Sequence, residues 1–334
     1  MVVVFGASSF IGTYLLDGLL EQGRSVFATA FTSPSLRCYN DRGIPCTQLD
    51  MTQWDHYTKL PASGVEAAVV LAGHLPANDS NYDPRRYIDV NITGVLNVLE
   101  YCRLTKVRKI ILASSHSDVA GIWACGRPIT EEDPRSIVYT GDHAVYIITK
   151  IAAMDLVEHY SQSYGIQGIS FRLPAVYGYG PHTEVYADGR PIVPGFTAFI
   201  RKAIAGEPIE IWGDPHVGRD MVYVKDVVSA FVGALDSGTA HGLYNIASGS
   251  ITSLEDEVRG IVEVFSPRDH RSEVRYRPDK PTAKNYAYLY DICKARRDFG
   301  YEVRYPLMRM LEDYKEEMNG RRFQHLICRE HKGL

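Results

Sequence analysis

Apolar runs of strand length alternate with helical patterns through the first half of the chain. Val2–Phe5 is unbroken apolar sequence, and residues 10–22 then repeat their apolar positions at helical spacing. Further strands are expected at 25–31, 67–71, 109–113 and 168–173, with helices at 84–104 and 142–164. Strands alternating with helices predict a parallel sheet, and strands apolar at nearly every position predict helices on both faces. After Pro174 the chain is richer in Pro, Gly and Tyr and the alternation breaks down. It resumes with a strand over 219–224, an apolar helix from Lys225 and a strand over 243–247. The expectation is an α/β chain with a doubly wound sheet domain built discontinuously from 1–173 and 219–248. A smaller α/β substrate-binding domain would come from 174–218 and 249–320, followed by a tail over 321–334.

Charge narrows the partners. The chain has 36 Lys and Arg against 40 Asp and Glu, which excludes a polybasic nucleic-acid binder. No apolar run approaches the roughly eighteen residues of a membrane span, and the first five residues lack the basic leader of a signal peptide. A cytoplasmic protein with no membrane partner is expected. The six cysteines lie far apart with no C-x-x-C pair, so neither a metal site nor a disulfide framework is predicted.

Gly6-Ala7-Ser8-Ser9-Phe10-Ile11-Gly12 falls between the first strand and the first helix. In that setting small residues let a dinucleotide pyrophosphate approach the backbone, and free N–H groups of the helix start hold it. The sheet expected around it is then Rossmann-type. Ser9 stands where a third glycine is usual. About twenty residues on, an NAD site usually carries an acid for the adenosine ribose. Here the sequence reads Phe31-Thr32-Ser33-Pro34-Ser35-Leu36-Arg37, with no carboxylate. Hydroxyls at Thr32 and Ser33 with the Arg37 guanidinium suit a 2′-phosphate, which favours NADP(H) and leaves NAD(H) possible.

Tyr146 and Lys150 stand four apart, on one face of a helix. A lysine cation beside a phenol lowers its pKa, so that Tyr146 can exchange a proton with a carbinol while hydride moves to or from a nicotinamide.

With these residues the chain resembles the extended short-chain dehydrogenase/reductases, the NAD-dependent epimerase/dehydratase group that works on nucleotide sugars. The resemblance runs through Gly6, Asp50-Met51, Leu71-Ala72-Gly73, Asn91 after Tyr87, Tyr146 with Lys150, and Arg172-Leu173-Pro174-Ala175-Val176-Tyr177-Gly178. It continues through Arg219-Asp220-Met221-Val222-Tyr223 and Arg277-Pro278-Asp279. It implies that Asp50 and Met51 lie near the adenine, and that Leu71, Ala72, Gly73, Asn91 and Pro174 border the cofactor. Lys150 would hold the nicotinamide ribose, Arg219 and Arg277 the substrate diphosphate, and Tyr177 would shape the sugar pocket. A homodimer through the helices at 91–104 and 142–164 is implied as well.

The sequence departs from the family in two places. The catalytic hydroxyl normally found after the fifth strand falls in Ser114-Ser115-His116-Ser117-Asp118. Counting back from Gly121 puts His116 at that position; either its imidazole donates the hydrogen bond, or a shifted loop lets Ser115 or Ser117 do so. Of the acid pair that dehydratases carry, only Asp118 matches, and Ala175 replaces a common Asn. The expected function is reduction of a keto-sugar nucleotide with Tyr146 as general acid. A nucleotide-sugar 4-epimerase with tightly bound NAD is the alternative, and a non-catalytic dinucleotide sensor a further one.

Overall fold

The computed structural model describes residues 1–76, 82–141, 143–181, 185–187, 190–281, 287–320 and 323. Its centre is a seven-stranded sheet. β1 (Val2–Phe5), α1 (Phe10–Glu21), β2 (Val26–Ala30), α2 (Ser33–Asp41), β3 (Cys46–Gln48) and β4 (Ala67–Val70) form its first half. α3 (Pro84–Ile88), α4 (Gly94–Thr105), β5 (Lys109–Ser115), α5 (His143–Tyr164) and β6 (Gln167–Leu173) form its second. The spatial order β3-β2-β1-β4-β5-β6 is extended at its far edge by the later strand Gly242–Asn245, and every neighbour is parallel. Strand order reverses between β1 and β4, so a crevice opens at their carboxyl ends, where sheets of this kind bind ligands.

Side-chain alternation explains the two layers. Val2 and Val4 point to the face covered by Leu15, Leu16 and Leu19 of α1, while Val3 and Phe5 point to the face covered by Val98 and Leu99 of α4 and Met154 of α5. Each such side chain contributes about 1.5–3 kcal/mol by leaving water.

Beyond β6 the elements are short. They run β7 (Val176–Tyr177), β8 (Val185–Ala187), β9 (Arg190–Ile192), α6 (Gly195–Ala205), β10 (Ile209–Trp212), β11 (Gly218–Asp220) and β12 (Val222–Tyr223). Then come α7 (Val224–Asp236), β13 (Gly242–Asn245), β14 (Ile251–Ser253), α8 (Leu254–Phe265), β15 (Val274–Arg277), α9 (Cys293–Phe299) and α10 (Leu307–Gly320). α7 packs on α1 beneath the sheet, and α8 packs against α6, α10, β10 and β14.

Three elements differ from the sequence reading. The polar stretch after β2 is a helix, α2, in which Pro34 falls in the first turn, where its missing N–H costs nothing. The expected helix over 84–104 is interrupted by a π-helical turn, Asp89–Thr93, which carries the buried Asn91. The strand expected over 219–224 breaks at Met221, because the buried Asp220 accepts hydrogen bonds from the backbone N–H groups of Ser248, Gly249 and Tyr290. Of the expected tail, Phe323 is buried against Tyr14 and Tyr179, and the rest lies outside the described residues. No helix among the described residues is long and apolar enough to cross a membrane.

Candidate active site

The turn after β1 is built by close backbone approach. Gly6 has φ +83°, and a Cβ there would lie 2.6 Å from the Ala72 nitrogen, across the crevice. A Cβ at Gly12 would lie 2.4 Å from the Gly6 carbonyl oxygen. Ser9 needs no glycine: its backbone is extended (φ −69°) and its hydroxyl caps α1 by accepting from the Gly12 N–H at 3.1 Å. The Phe10 and Ile11 N–H groups, which follow Ser8 and Ser9, open the helix and have no intrahelical acceptor. That turn, with Leu71, Ala72 and Gly73 following β4 opposite it, fits a dinucleotide pyrophosphate.

Around the adenosine end the picture is plainer. Thr32 and Arg37 are exposed at the start of α2, and the Thr32 hydroxyl makes no capping bond. The side chain of Ser33 lies outside the described ones. Asp50 accepts from the Thr52 N–H and hydroxyl at 2.9 and 2.8 Å, and Met51 is buried beneath Gly94.

The chemistry gathers at the ends of β5 and α5. The Ser115 hydroxyl lies close enough to the Tyr146 phenol to pull its pKa down, but burial outweighs that and pushes the phenol up to about 12. Lys150, one turn further along α5, is buried, donates to the Ala113 carbonyl at 2.5 Å, and is pushed down to about 8 by desolvation. Asn91 fixes the wall facing them. Its amide accepts from the His74 N–H at 2.8 Å and donates to the His74 carbonyl and the Thr149 hydroxyl, each at 3.1 Å. A Cβ at Gly73 would lie 3.2 Å from Asn91 Oδ1 and 3.9 Å from Lys150 Nζ, so a side chain there would press on Asn91 and narrow the space before the ammonium.

Which side chain of the loop after β5 meets Tyr146 is decided by strand length. β5 runs two residues past its expected end, so Ser115 is its last residue and caps the helical turn that follows. Ser117 sits behind it, its hydroxyl 3.1 Å from Ser115 Oγ. His116 turns elsewhere: Nδ1 is 2.9 Å from the Tyr290 hydroxyl, and the ring packs on Trp123 and Tyr288. Burial and the Arg172 charge push its pKa down to about 3, so it is a neutral packing residue. Asp118, the one match to a dehydratase acid, is engaged by Arg172 inside the protein. We expect Ser115→Ala to lower kcat about 10²-fold, with no comparable loss in Ser117→Ala; steady-state kinetics showing the reverse would reassign the hydroxyl.

Pro174 follows β6 directly. Beyond it a cavity of about 950 Å³ is lined by Phe10, Ala175, Tyr177, Trp212, Arg219 and Glu257, among others. The Arg219 guanidinium lies 5.9 Å from the Tyr177 ring centre and its Nη2 is 3.5 Å from Glu257 Oε2. Burial pushes both the Tyr177 phenol and the Glu257 carboxyl up. Arg277 is tied to Glu210 of the cavity wall. β15 pairs it with Trp212, and its guanidinium is held by Asp279 at 2.9 Å and Glu210 at 3.3 Å. Glu257 escaped the sequence reading, although a signal was present: it interrupts the apolar stripe of Leu254, Val258 and Ile261 on an amphipathic helix.

A family model described as the NAD dependent epimerase/dehydratase family matches residues 2–247. A putative UDP-glucose 4-epimerase of Methanocaldococcus jannaschii is 25% identical over 328 residues, covering 96% of this chain and 97% of its own. Among solved structures, a UDP-glucose 4-epimerase of Thermotoga maritima with UDP-glucose superposes with a TM-score of 0.78 at 23% identity, covering 96% of this chain and 98% of its own. A UDP-glucose 4-epimerase of Thermus thermophilus in complex with NAD gives 0.75 at 23% identity, covering 96% and 99%.

Proposed function

The chain belongs to the NAD dependent epimerase/dehydratase family, and on that premise we propose that it is a nucleotide-sugar 4-epimerase that retains NAD. The observation that carries this reading is the meeting of the Tyr146 phenol, the Ser115 hydroxyl and the buried Lys150 at the crevice of the sheet. The end-to-end likeness to a putative UDP-glucose 4-epimerase supports the epimerase over the reductase that the sequence put first. The description of the matching family as NAD dependent, and the NAD bound to the Thermus thermophilus epimerase, favour NAD over NADP.

In this reading Gly6, Gly12 and the Phe10 and Ile11 N–H groups hold the pyrophosphate, and Lys150 the nicotinamide ribose. NAD held there would supply the hydride acceptor and donor that epimerisation at sugar C4 needs. As the phenolate, which the Lys150 cation and the positive charge of an oxidised nicotinamide would favour, Tyr146 would receive the C4 hydroxyl proton and later give it back, while Ser115 would hold the same sugar oxygen. The cavity beyond Pro174 lets the keto sugar turn over, with Arg219 anchoring its diphosphate and Tyr177 shaping the wall. Residues 174–218 and 249–320 act as the substrate lobe, and Arg277 closes on the diphosphate from the rim.

Mass spectrometry of the denatured, freshly purified protein is expected to find NAD in near-stoichiometric amount. An empty protein that binds NADPH in preference would return the reductase to first place.

A homodimer through α4 and α5 belongs to the same reading. Leu96, Leu104, Ile148 and Tyr164 are exposed on those two helices, a larger apolar display than a solvated helix pair needs. Light scattering should give twice the chain mass at micromolar concentration; a clean monomer would contradict the dimer.

A further inference from the structure

Glu257 is a carboxyl group in the wrong surroundings for a structural acid. It lies in the first turn of α8 with only 1% of its surface exposed, among Leu254, Val258 and Ile261. One oxygen, Oε2, stands 3.5 Å from the Arg219 guanidinium. The other, Oε1, is buried with no hydrogen-bond partner among the described residues, and the side chain lines the cavity that also holds Arg219 and Tyr177. A buried acceptor left unpaired is costly, and native proteins seldom carry one unless a ligand completes it.

We propose that Glu257 reads the ribose of the substrate: its free oxygen pairs with a ribose hydroxyl of a nucleoside diphosphate whose phosphate rests on Arg219. This rests on the reading of the cavity as a nucleotide-sugar site. Three features select that partner. The same carboxylate touches Arg219, so a group bound to Oε1 lies close to the phosphate that Arg219 holds, nearer than the far edge of a base. A hydroxyl both donates and accepts, which suits a carboxyl whose proton affinity is raised by burial and lowered by an adjacent cation. Finally, α8 packs chiefly on α6, α10, β10 and β14, with no comparable packing on β5 or α5. Glu257 therefore serves the side of the diphosphate away from Ser115 and Tyr146, which is the nucleoside and not the sugar that reacts. Acids read ribose hydroxyls in the same way at dinucleotide sites.

The consequence is selection of ribonucleotides over deoxyribonucleotides. The test is calorimetric titration of the purified holoprotein with UDP, 2′-deoxy-UDP and 3′-deoxy-UDP. UDP is expected to bind about tenfold tighter than at least one deoxy analogue. Glu257→Leu is expected to abolish that preference by weakening UDP alone. Its apolar side chain suits the surrounding stripe, and the Arg219 cation that it releases is 39% exposed, so water can take up that charge. Should it fail to fold, Glu257→Gln keeps the shape and is expected to shrink the preference to a few-fold. Equal binding of all three nucleotides by the unaltered protein, or a preference that survives Glu257→Leu, overturns the proposal. So does a Glu257→Leu variant that loses affinity for UDP-glucose but not for UDP, since the acid then reads the hexose. Failure of any nucleoside diphosphate to bind overturns the underlying functional reading together with this one.

Discussion

Tyr146→Phe should lower turnover by about 10²–10⁴-fold while leaving bound NAD in place. The substitution removes one oxygen and keeps the ring, which packs edge-on against Tyr87 at 6.4 Å. Lys150 keeps its bond to the Ala113 carbonyl, so the cofactor side of the site is untouched. The loss should fall on kcat with little change in substrate affinity, because the phenol acts on the proton that moves and not on the diphosphate. Kinetics and a cofactor assay on the same preparation check both halves. Activity within a few-fold of the unaltered protein would remove Tyr146 from the proton-transfer role.

Asp118→Ala should destabilise the fold by about 3–5 kcal/mol. Arg172 and Asp118 have side chains only 1% and 3% exposed, and the guanidinium donates to both carboxylate oxygens at 2.8–3.2 Å. Asn245 Oδ1 and the Thr130 carbonyl take the remaining N–H donor at 3.1 and 3.2 Å. Removing the acid leaves a buried cation without its charge partner, which is the expensive half of breaking such a pair. Replacing both residues by apolar ones should cost less than the single change, the non-additivity expected of neighbours in one network. Urea denaturation of the two variants measures this. A single-variant loss below about 1 kcal/mol would mean that water reaches the pair.

These two residues mark what could be read from the sequence. The first strand, the glycine turn and the Tyr146–Lys150 spacing are local patterns, and local patterns survive into the structure because backbone geometry and helical period fix them. Gly6 and Gly12 are demanded by contacts of 2.6 and 2.4 Å that any side chain would violate, which is why the motif announces itself. The loop after β5 was not legible, because choosing the hydroxyl that we propose to be catalytic required knowing whether the strand stops at Ala113 or Ser115. Side chains alternate along a strand, so one residue of register exchanges Ser115 for its neighbour. Counting back from Gly121 selects His116, and the cluster that accounts for that histidine joins Trp123 nearby to Tyr288 and Tyr290, which are distant in sequence. Asp118 matched half of a dehydratase pair for the same reason: its partner, Arg172, lies 54 residues away. The helix at Ser33–Asp41 was hidden by its composition, since Ser, Pro and Asn are turn formers whose helical use here depends on starting positions at the end of β2.

The central claim is that this chain inverts a sugar carbinol with a cofactor it never releases. The most direct test is to incubate the purified protein, with no cofactor added, with UDP-glucose and separately with UDP-glucuronate, and to follow the sugar protons by NMR. The account predicts that one of them relaxes to a mixture of C4 epimers at constant total nucleotide sugar. No epimer from either, together with consumption of NADPH once a keto-sugar nucleotide is supplied, would contradict it.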